Sequence, residues 1–313
     1  MSANDPSAEM EAPQKRRGAG MAAVMVTTFA WSVPPLIINE TRMAPLAFAA
    51  YRLWLGVAIY AVMFAVTGRR VHWSTIKACA PGGLLFAADV GLAFTAFHYT
   101  SVVDATIIGT LSTVTIVIGA AIWFGESMRR SGVVIVAVSM IGVILVAVGS
   151  SGTPSFSLGG DLAAFCSVFT WTAYWLYSKR ARATVGALEY MAIVMFVAAA
   201  VMTIVAPATG ASLAWPDGSE WLALFTVALL AGAVGHSLLA WSHQHLQAWL
   251  ASLILDCQPI VSVTLAWLLL GQRVTWLTAA GGAMVLAASA TLVVSEGRRN
   301  PEEFESESTV PST

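Results

Sequence analysis

The chain has 313 residues, of which 58% are apolar and only 11% charged, with a formal net charge of −1. Soluble domains carry about 25% charged residues, so this composition excludes a water-facing surface of this size, and the near-neutral balance gives no field to gather nucleic acid. Cys79, Cys166 and Cys257 lie far apart inside apolar runs, which excludes a disulfide framework and zinc-type spacing.

In chain order, residues 1–18 read as a disordered, polar N-terminus ending in Lys15-Arg16-Arg17. The apolar run that follows is longer than the core of a signal peptide and has no clear small-x-small cleavage site after it, so it reads as a first span. Ten spans are expected, at about 19–38, 45–67, 75–97, 102–123, 131–149, 159–178, 187–206, 220–241, 248–270 and 274–294. Each is close to the roughly 20 apolar residues that cross a bilayer. None alternates apolar with polar residues, which excludes a membrane barrel. Residues 295–313 carry Glu296, Glu302, Glu303, Glu305 and Glu307 among Ser and Pro and read as a disordered acidic tail.

Basic residues set the expected orientation. With the N-terminus cytoplasmic, the inner segments hold Lys15, Arg16, Arg17, Arg69, Arg70, Lys77, Arg129, Arg130, Lys179, Arg180, Arg182, Arg298 and Arg299, against Arg42 and Arg273 outside. This bias predicts both termini on the cytoplasmic side of the inner (cytoplasmic) membrane.

The halves resemble each other at an offset of about 146 residues. Ala105-Thr106-Ile107-Ile108 matches Ala251-Ser252-Leu253-Ile254, and Trp123-Phe124-Gly125-Glu126 matches Leu269-Leu270-Gly271-Gln272. Trp31-Ser32 and Trp171-Thr172 correspond at a slightly different offset. Five spans is an odd number, so a second copy enters from the opposite side. The expectation is an all-α membrane protein of two inverted five-helix repeats, 19–150 and 151–294, around a central cavity, working by alternating access.

Trp31, Pro45, Arg52, Phe97-His98-Tyr99-Thr100, Phe124-Gly125-Glu126, Gly132, Gly142, Trp171, Gln258-Pro259 and Leu270-Gly271-Gln272, in this order and spacing, carry a resemblance. The sequence resembles the EamA-type branch of the drug/metabolite transporter superfamily over nearly all of 19–294. It departs at Thr113, where that family often has proline, and at Gly271-Gln272-Arg273, where it often has Gly-Glu-Arg. The resemblance implies a basket of helices whose cavity is lined mainly by spans one, three, four, six, eight and nine. It also implies export or uptake of amino acids and other small metabolites.

Arg52, Asp89, His236 and Asp256 lie well inside spans. A charge at the bilayer centre costs about 2.5–3.5 kcal/mol on insertion scales, so these groups must pair, neutralise or face a wet cavity. Arg52 and Asp89 lie at similar depths on consecutive spans, about 10 and 12 Å from the outer end at 1.5 Å per residue. They are expected to form a structural ion pair, with substrate contact as the alternative. Asp256 and His236 lie at neighbouring depths on spans nine and eight. Asp256 is flanked by Ser252, Gln258 and Pro259, the last freeing the Leu255 carbonyl, and is expected to bind substrate or carry a proton with His236 as partner.

Pro34-Pro35 should break span one beside Trp31, and Pro259 should break span nine. Trp31, Trp171 and Tyr174 are candidate cavity walls, which with a carboxylate suit an aromatic or cationic metabolite; Tyr177 reads as an interface residue. The expected substrate contacts are thus Trp31, Asp89, Trp171, Tyr174, His236, Asp256 and Gln258. Gly83, Ala87 and Gly91 on span three and Ala279, Ala283 and Ala287 on span ten read as close-packing faces. Asn39-Glu40-Thr41 fits a glycosylation sequon of the kind that arises by chance. His243 and His245 lack a third ligand for a metal, and no cofactor is called for.

The reading is a secondary transporter, an exporter by preference, of a small polar metabolite such as an amino acid, with proton coupling a possibility. A lipid-modifying membrane enzyme is the rival, but no H-E-x-x-H, G-x-S-x-G or paired aspartate cluster occurs. A nucleotide-sugar or sugar-phosphate carrier should bring several Lys or Arg to the cavity, and only Arg52 qualifies. The expected partners are the lipid bilayer and the small-molecule substrate; both a monomer and a homodimer fit the sequence.

Overall fold

The computed structural model describes residues 6–38, 41–100, 102–126, 128, 130–151, 157–271 and 274–297. All regular structure among these residues is helical. The elements are α1 (Pro6–Ser32), α2 (Pro34–Ile38), α3 (Pro45–Thr67), α4 (Trp73–Tyr99), α5 (Val102–Gly109), α6 (Leu111–Phe124) and α7 (Arg130–Ser151). They continue with α8 (Leu158–Arg182), α9 (Ala187–Ala208), α10 (Gly218–Val227), a π-helical stretch (Ala228–Gly235), α11 (His236–Ser242), α12 (Ala248–Leu255), α13 (Gln258–Leu270) and α14 (Trp276–Gly297). Asn39 and Glu40 of the sequon, Gln272 and Arg273 of Gly271-Gln272-Arg273, and the tail from residue 298 lie outside the described residues.

Among the described residues, seven stretches are long and apolar enough to cross a membrane: Pro45–Thr67, Trp73–Ala96, Ile107–Phe124, Arg130–Gly149, Ala187–Ala208, Gly218–Ser242 and Ala248–Leu269; Trp276–Thr291 is a shorter apolar helix. The first and sixth expected spans, within α1 and α8, fall short of that standard. α1 carries Lys15, Arg16 and Arg17, and α8 has charged residues only near its ends but Trp171, Tyr174, Trp175, Tyr177 and several Ser and Thr between them, which lower its hydropathy. α1 also begins at Pro6, so residues 6–18, expected to be disordered, are helical there. Proline suits the first helical turn, and Ala, Glu, Met, Gln, Lys and Arg after it are strong helix formers. Large apolar side chains such as Val66, Ile122, Ile204 and Leu222 point outward from the bundle, as a lipid-facing surface requires.

Chemistry at the helix ends follows the sequence pattern. α6 stops at Gly125 (φ +66°) and α13 at Gly271 (φ +64°), left-handed caps in which glycine carries no steric penalty. The repeated Gly-Glu/Gln ending is therefore a repeated helix stop.

The tightest helix pairings are α7 with α14, α4 with α8 and α9, and α3 with α9. α1 lies along the π-helical stretch, α11, α12 and α13. In span three the expected face is used: a Cβ on Gly83 would sit 2.6 Å from Val197, and Ala87 is fully buried. In span ten the expected face is wrong. Ala279, Ala283 and Ala287 are exposed, and α14 meets Gly142, Leu145, Val146 and Gly149 of α7 through Thr278, Gly281 and Val285. The glycines let two backbones approach more closely than alanines would.

One half of the bundle, the end holding Glu126 and Arg182, is filled. Tyr60, Tyr174, Trp175 and Tyr190 are fully buried there. Basic residues expected in the inner segments form part of this seal. Lys179 pairs with Glu126 at 2.8 Å and donates to the Leu246 carbonyl at 2.6 Å. Arg182 donates to the Ala240 carbonyl at 2.8 Å, to Gln244 Oε1 at 2.7 Å and to the Val185 carbonyl, and Gln244 donates back to the Arg182 carbonyl.

Candidate functional site: a central cavity in the open half

The opposite half, toward Thr100, encloses a cavity of about 410 Å³, within the range of small-molecule sites. Its walls are built where helices break. Pro34 and Pro35 lack the N–H groups that would close the turns from Ala30 and Trp31. The freed Trp31 carbonyl accepts from Gln258 Nε2 at 3.0 Å, and the Ser32 carbonyl accepts from Ser262 Oγ at 3.1 Å. Ser32 Oγ in turn donates to the Gln258 carbonyl at 3.1 Å. Each break thus satisfies the other, as a low-dielectric interior demands.

The π-helical stretch shapes the next wall. Trp31 Nε1 donates to the Ala231 carbonyl at 3.1 Å. The indole rests on Gly235, where an added Cβ would collide with the ring, its Cδ1 2.7 Å away. Thr27 Oγ1 reaches the Gly235 carbonyl at 3.1 Å. π-helical turns inside α-helices are frequent at functional sites.

Aromatic rings form the cavity floor. Trp31 meets Trp171 with ring centroids 5.7 Å apart, and the His236 ring lies between Trp31 at 4.7 Å and Phe86 at 4.8 Å. His236 Nδ1 is buried without a hydrogen-bond partner.

Two charged residues face the same cavity, Arg52 from α3 and Asp89 from α4. Asp89 accepts a hydrogen bond from Ser167 Oγ of α8 at 2.7 Å. The Arg52 guanidinium lies over the Phe94 ring at 5.6 Å.

Of the residues expected to contact substrate, Trp31, Asp89, Trp171, His236 and Gln258 line this cavity, and Pro34 with them. Tyr174 does not: it is buried beneath Trp171 and Phe86, its hydroxyl directed at Met191. Nor does Asp256. It sits at the α12–α13 break and accepts from Thr113 Oγ1 at 3.0 Å and Ser139 Oγ at 3.1 Å, binding that break to α6 and α7. His236 faces the cavity on another helix and is not its partner. Arg52 and Asp89 share the cavity and feel each other's charge, yet among the described residues they make no ion pair within 4 Å. Matching depth along two helices fixes height, not azimuth, which is why both pairings failed.

Phe86, Phe94, Ser112 and Ser167 were missed. Ser167 had a signal: it shares a helical face with Trp171 and Tyr174, at i, i+4 and i+7. His243, read as a poor metal ligand, bonds Ser178 Oγ at 3.0 Å through Nδ1. Among the described residues no group of three His, Cys, Asp or Glu side chains is placed to hold a metal.

The EamA-like transporter family matches residues 18–148 and again 158–294. The chain belongs to the EamA-like transporter family. Two curated relatives are similar over shorter stretches. One, described as a "Probable terminal-alkyne amino-acid exporter" from Streptantibioticus cattleyicolor, is 40% identical over 72 residues, 22% of this chain and 24% of that protein. The other, "Uncharacterized transporter YdfC" from Bacillus subtilis, is 24% identical over 149 residues, 48% of each chain. The match thus spans about a quarter and about half of these relatives' lengths. A solved crystal structure aligns over 90% of this chain and 98% of its own, with a TM-score of 0.75 and 22% identity, a likeness of fold. Membership of this family, with the apolar helices described above, makes the chain a multi-pass membrane protein of the EamA-like transporter family.

Proposed function

We propose that this EamA-like protein exports a small polar metabolite, such as an amino acid, across the cytoplasmic membrane by alternating access through the central cavity. It crosses the bilayer ten times as inverted repeats, 19–150 and 151–294, with both termini cytoplasmic. The observation that carries the reading is the asymmetry of the bundle: a 410 Å³ cavity in one half and a sealed, buried polar network in the other. A conformation open to one side only is what an alternating-access carrier samples.

Three features support the repeat. The break between α5 and α6 at Thr110 and the break at Asp256 are separated by the same 146 residues as the sequence repeat. The two left-handed glycine caps, Gly125 and Gly271, share that offset. The helix pairings also exchange: α4 against α8 corresponds to α1 against the stretch 228–242, while α3–α9 and α7–α14 are each their own counterpart. The amino-acid class draws on the Streptantibioticus relative and on a cavity with one cationic and one anionic side chain. Proton coupling is assigned to Asp256, a carboxylate held inside the membrane by two hydroxyls.

The test is flux of a metabolite panel in proteoliposomes, with and without an imposed pH gradient. Saturable movement of an amino acid, accelerated by the gradient, is expected. Absence of flux for every compound would overturn the transport reading, and gradient-dependent flux that persists in Asp256→Asn would remove Asp256 from the coupling.

A further inference from the structure

Arg52 is 8% exposed, faces the cavity, and among the described residues donates no hydrogen bond; its Nε is buried without a partner. A guanidinium carries five donors in a fixed fork suited to a carboxylate. Among the described residues these donors have no protein acceptor, so the cavity is where an anionic group can reach them. The nearest anion, Asp89, stands beyond ion-pair distance and is engaged by Ser167. The two charges are therefore held apart across one small cavity. Together they cancel, so a ligand with a single charge satisfies one residue and leaves the other uncompensated.

Resting on the reading of this cavity as the substrate site, we propose that Arg52 and Asp89 read the two ends of a zwitterion: Arg52 takes the carboxylate and Asp89 the ammonium of an α-amino acid whose side chain lies on Trp31, Phe86 and Trp171. The ligand enters with no net charge, completes the hydrogen bonding of both residues, and places an apolar or aromatic group on an apolar wall. A sugar phosphate would set its charge against Asp89, and a quaternary amine would set its charge against Arg52.

The test is calorimetric titration of the full chain in lipid nanodiscs with two ligand sets: L-phenylalanine, 3-phenylpropanoate and 2-phenylethylamine; and L-leucine, 4-methylpentanoate and 3-methylbutylamine. In at least one set the zwitterion binds about 10- to 100-fold more tightly than either singly charged analogue, the factor expected for one charge-assisted hydrogen-bonding site lost. Arg52→Gln erases the preference over the amine and keeps the preference over the acid; Asp89→Asn does the reverse; Arg52→Lys restores part of the first. A purely structural role would weaken all three ligands alike. In both sets an analogue that binds wild type as tightly as its zwitterion, or no binding by either zwitterion, overturns the proposal, and this comparison needs no variant to fold. If neither zwitterion binds while proteoliposomes still move another metabolite, the zwitterion inference falls and the transport reading stands; if flux is absent as well, both fall.

Discussion

Removing one partner of the Glu126–Lys179 pair should destabilise the protein far more than removing both. The pair is nearly solvent-free, with side-chain exposures of 1% and 6%, and its atoms are 2.8 Å apart. Glu126 also accepts the Ala248 N–H, at 2.9 and 3.2 Å to its two oxygens, and so caps the start of α12, where the helix dipole favours an anion. Lys179 has the Leu246 carbonyl as its other partner, and the face of Phe124 at 5.7 Å. Breaking a buried pair costs about 3–5 kcal/mol, mostly from the charge left behind. Lys179→Met leaves a carboxylate still held by a backbone N–H and a helix N-terminus, so its cost lies at the lower end. Glu126→Gln leaves an ammonium facing a carbonyl and an amide, so its cost lies at the upper end. The double variant buries no charge and keeps an acceptor for Ala248. Its destabilisation should fall about 2 kcal/mol or more short of the sum of the two single variants. Coupling of this size is usual for residues in contact and absent for distant ones. Reversible unfolding in mixed dodecyl sulfate micelles measures all four proteins. Additive single variants, with a coupling below about 0.5 kcal/mol, would refute the buried-pair argument.

His243 is held well below the usual histidine value of 6.5 by burial, and then by the Lys179 and Arg182 charges. The unfolded chain takes up a proton that the native state refuses, so stability is complete above about pH 6.5 and is lost progressively below it; unfolding midpoints at pH 7.5 and 5.5 should show the fall, and His243→Gln should make it shallower. Gly281→Ala should destabilise by about 1–3 kcal/mol, because the new Cβ would lie 2.5 Å from the Gly142 carbonyl and 2.8 Å from Val146 N. Gly282→Ala, whose Cβ would find nothing nearer than Ile260 at 3.7 Å, should be neutral or slightly stabilising in the same assay. Asp256→Ala strips the shared acceptor from Thr113 and Ser139 and should cost about 1–3 kcal/mol, whereas Asp256→Asn, which retains one carbonyl oxygen, should cost less.

Element type was legible because each stretch is apolar over a length no loop tolerates, and the stops were legible as Gly125 and Gly271. The prolines were legible too, since a missing N–H is a property of the residue and not of its neighbours. The side-chain pairings were not. Arg52 and Asp89 were placed at the right height and then joined, although nothing in a sequence fixes how far each helix is rotated about its axis. Asp256 turned toward Thr113 and Ser139 for the same reason. The positive-inside pattern assigns Lys179 and Arg182 to an inner segment and says nothing of whether they are buried there. Their acceptors, the carbonyls of Ala240 and Leu246 and the carboxylate of Glu126, come from chain segments 58 to 67 residues later and from one well before.

The cavity divides its lining between two kinds of helix. Arg52, Asp89, Ser167 and Trp171 sit on α3, α4 and α8, which run unbroken through that depth. Trp31 and Pro34 flank the α1–α2 break, Gly109 and Ser112 the α5–α6 break, Val227 and His236 the π-helical stretch that holds Ala231, and Gln258 the α12–α13 break. The charges are thus fixed to continuous rods, while half of the uncharged wall stands on segments at or beside a break or the π-helical stretch. Rotating a segment about such an interruption disturbs few helical bonds, since the freed carbonyls are held by side chains such as Gln258 and Ser262. Bending an unbroken helix at the same depth would break several. A change of access that keeps Arg52 and Asp89 in register therefore meets least resistance at Val33, Thr110, the stretch 228–235 and Asp256-Cys257, which are four levels of the chain that meet around one cavity.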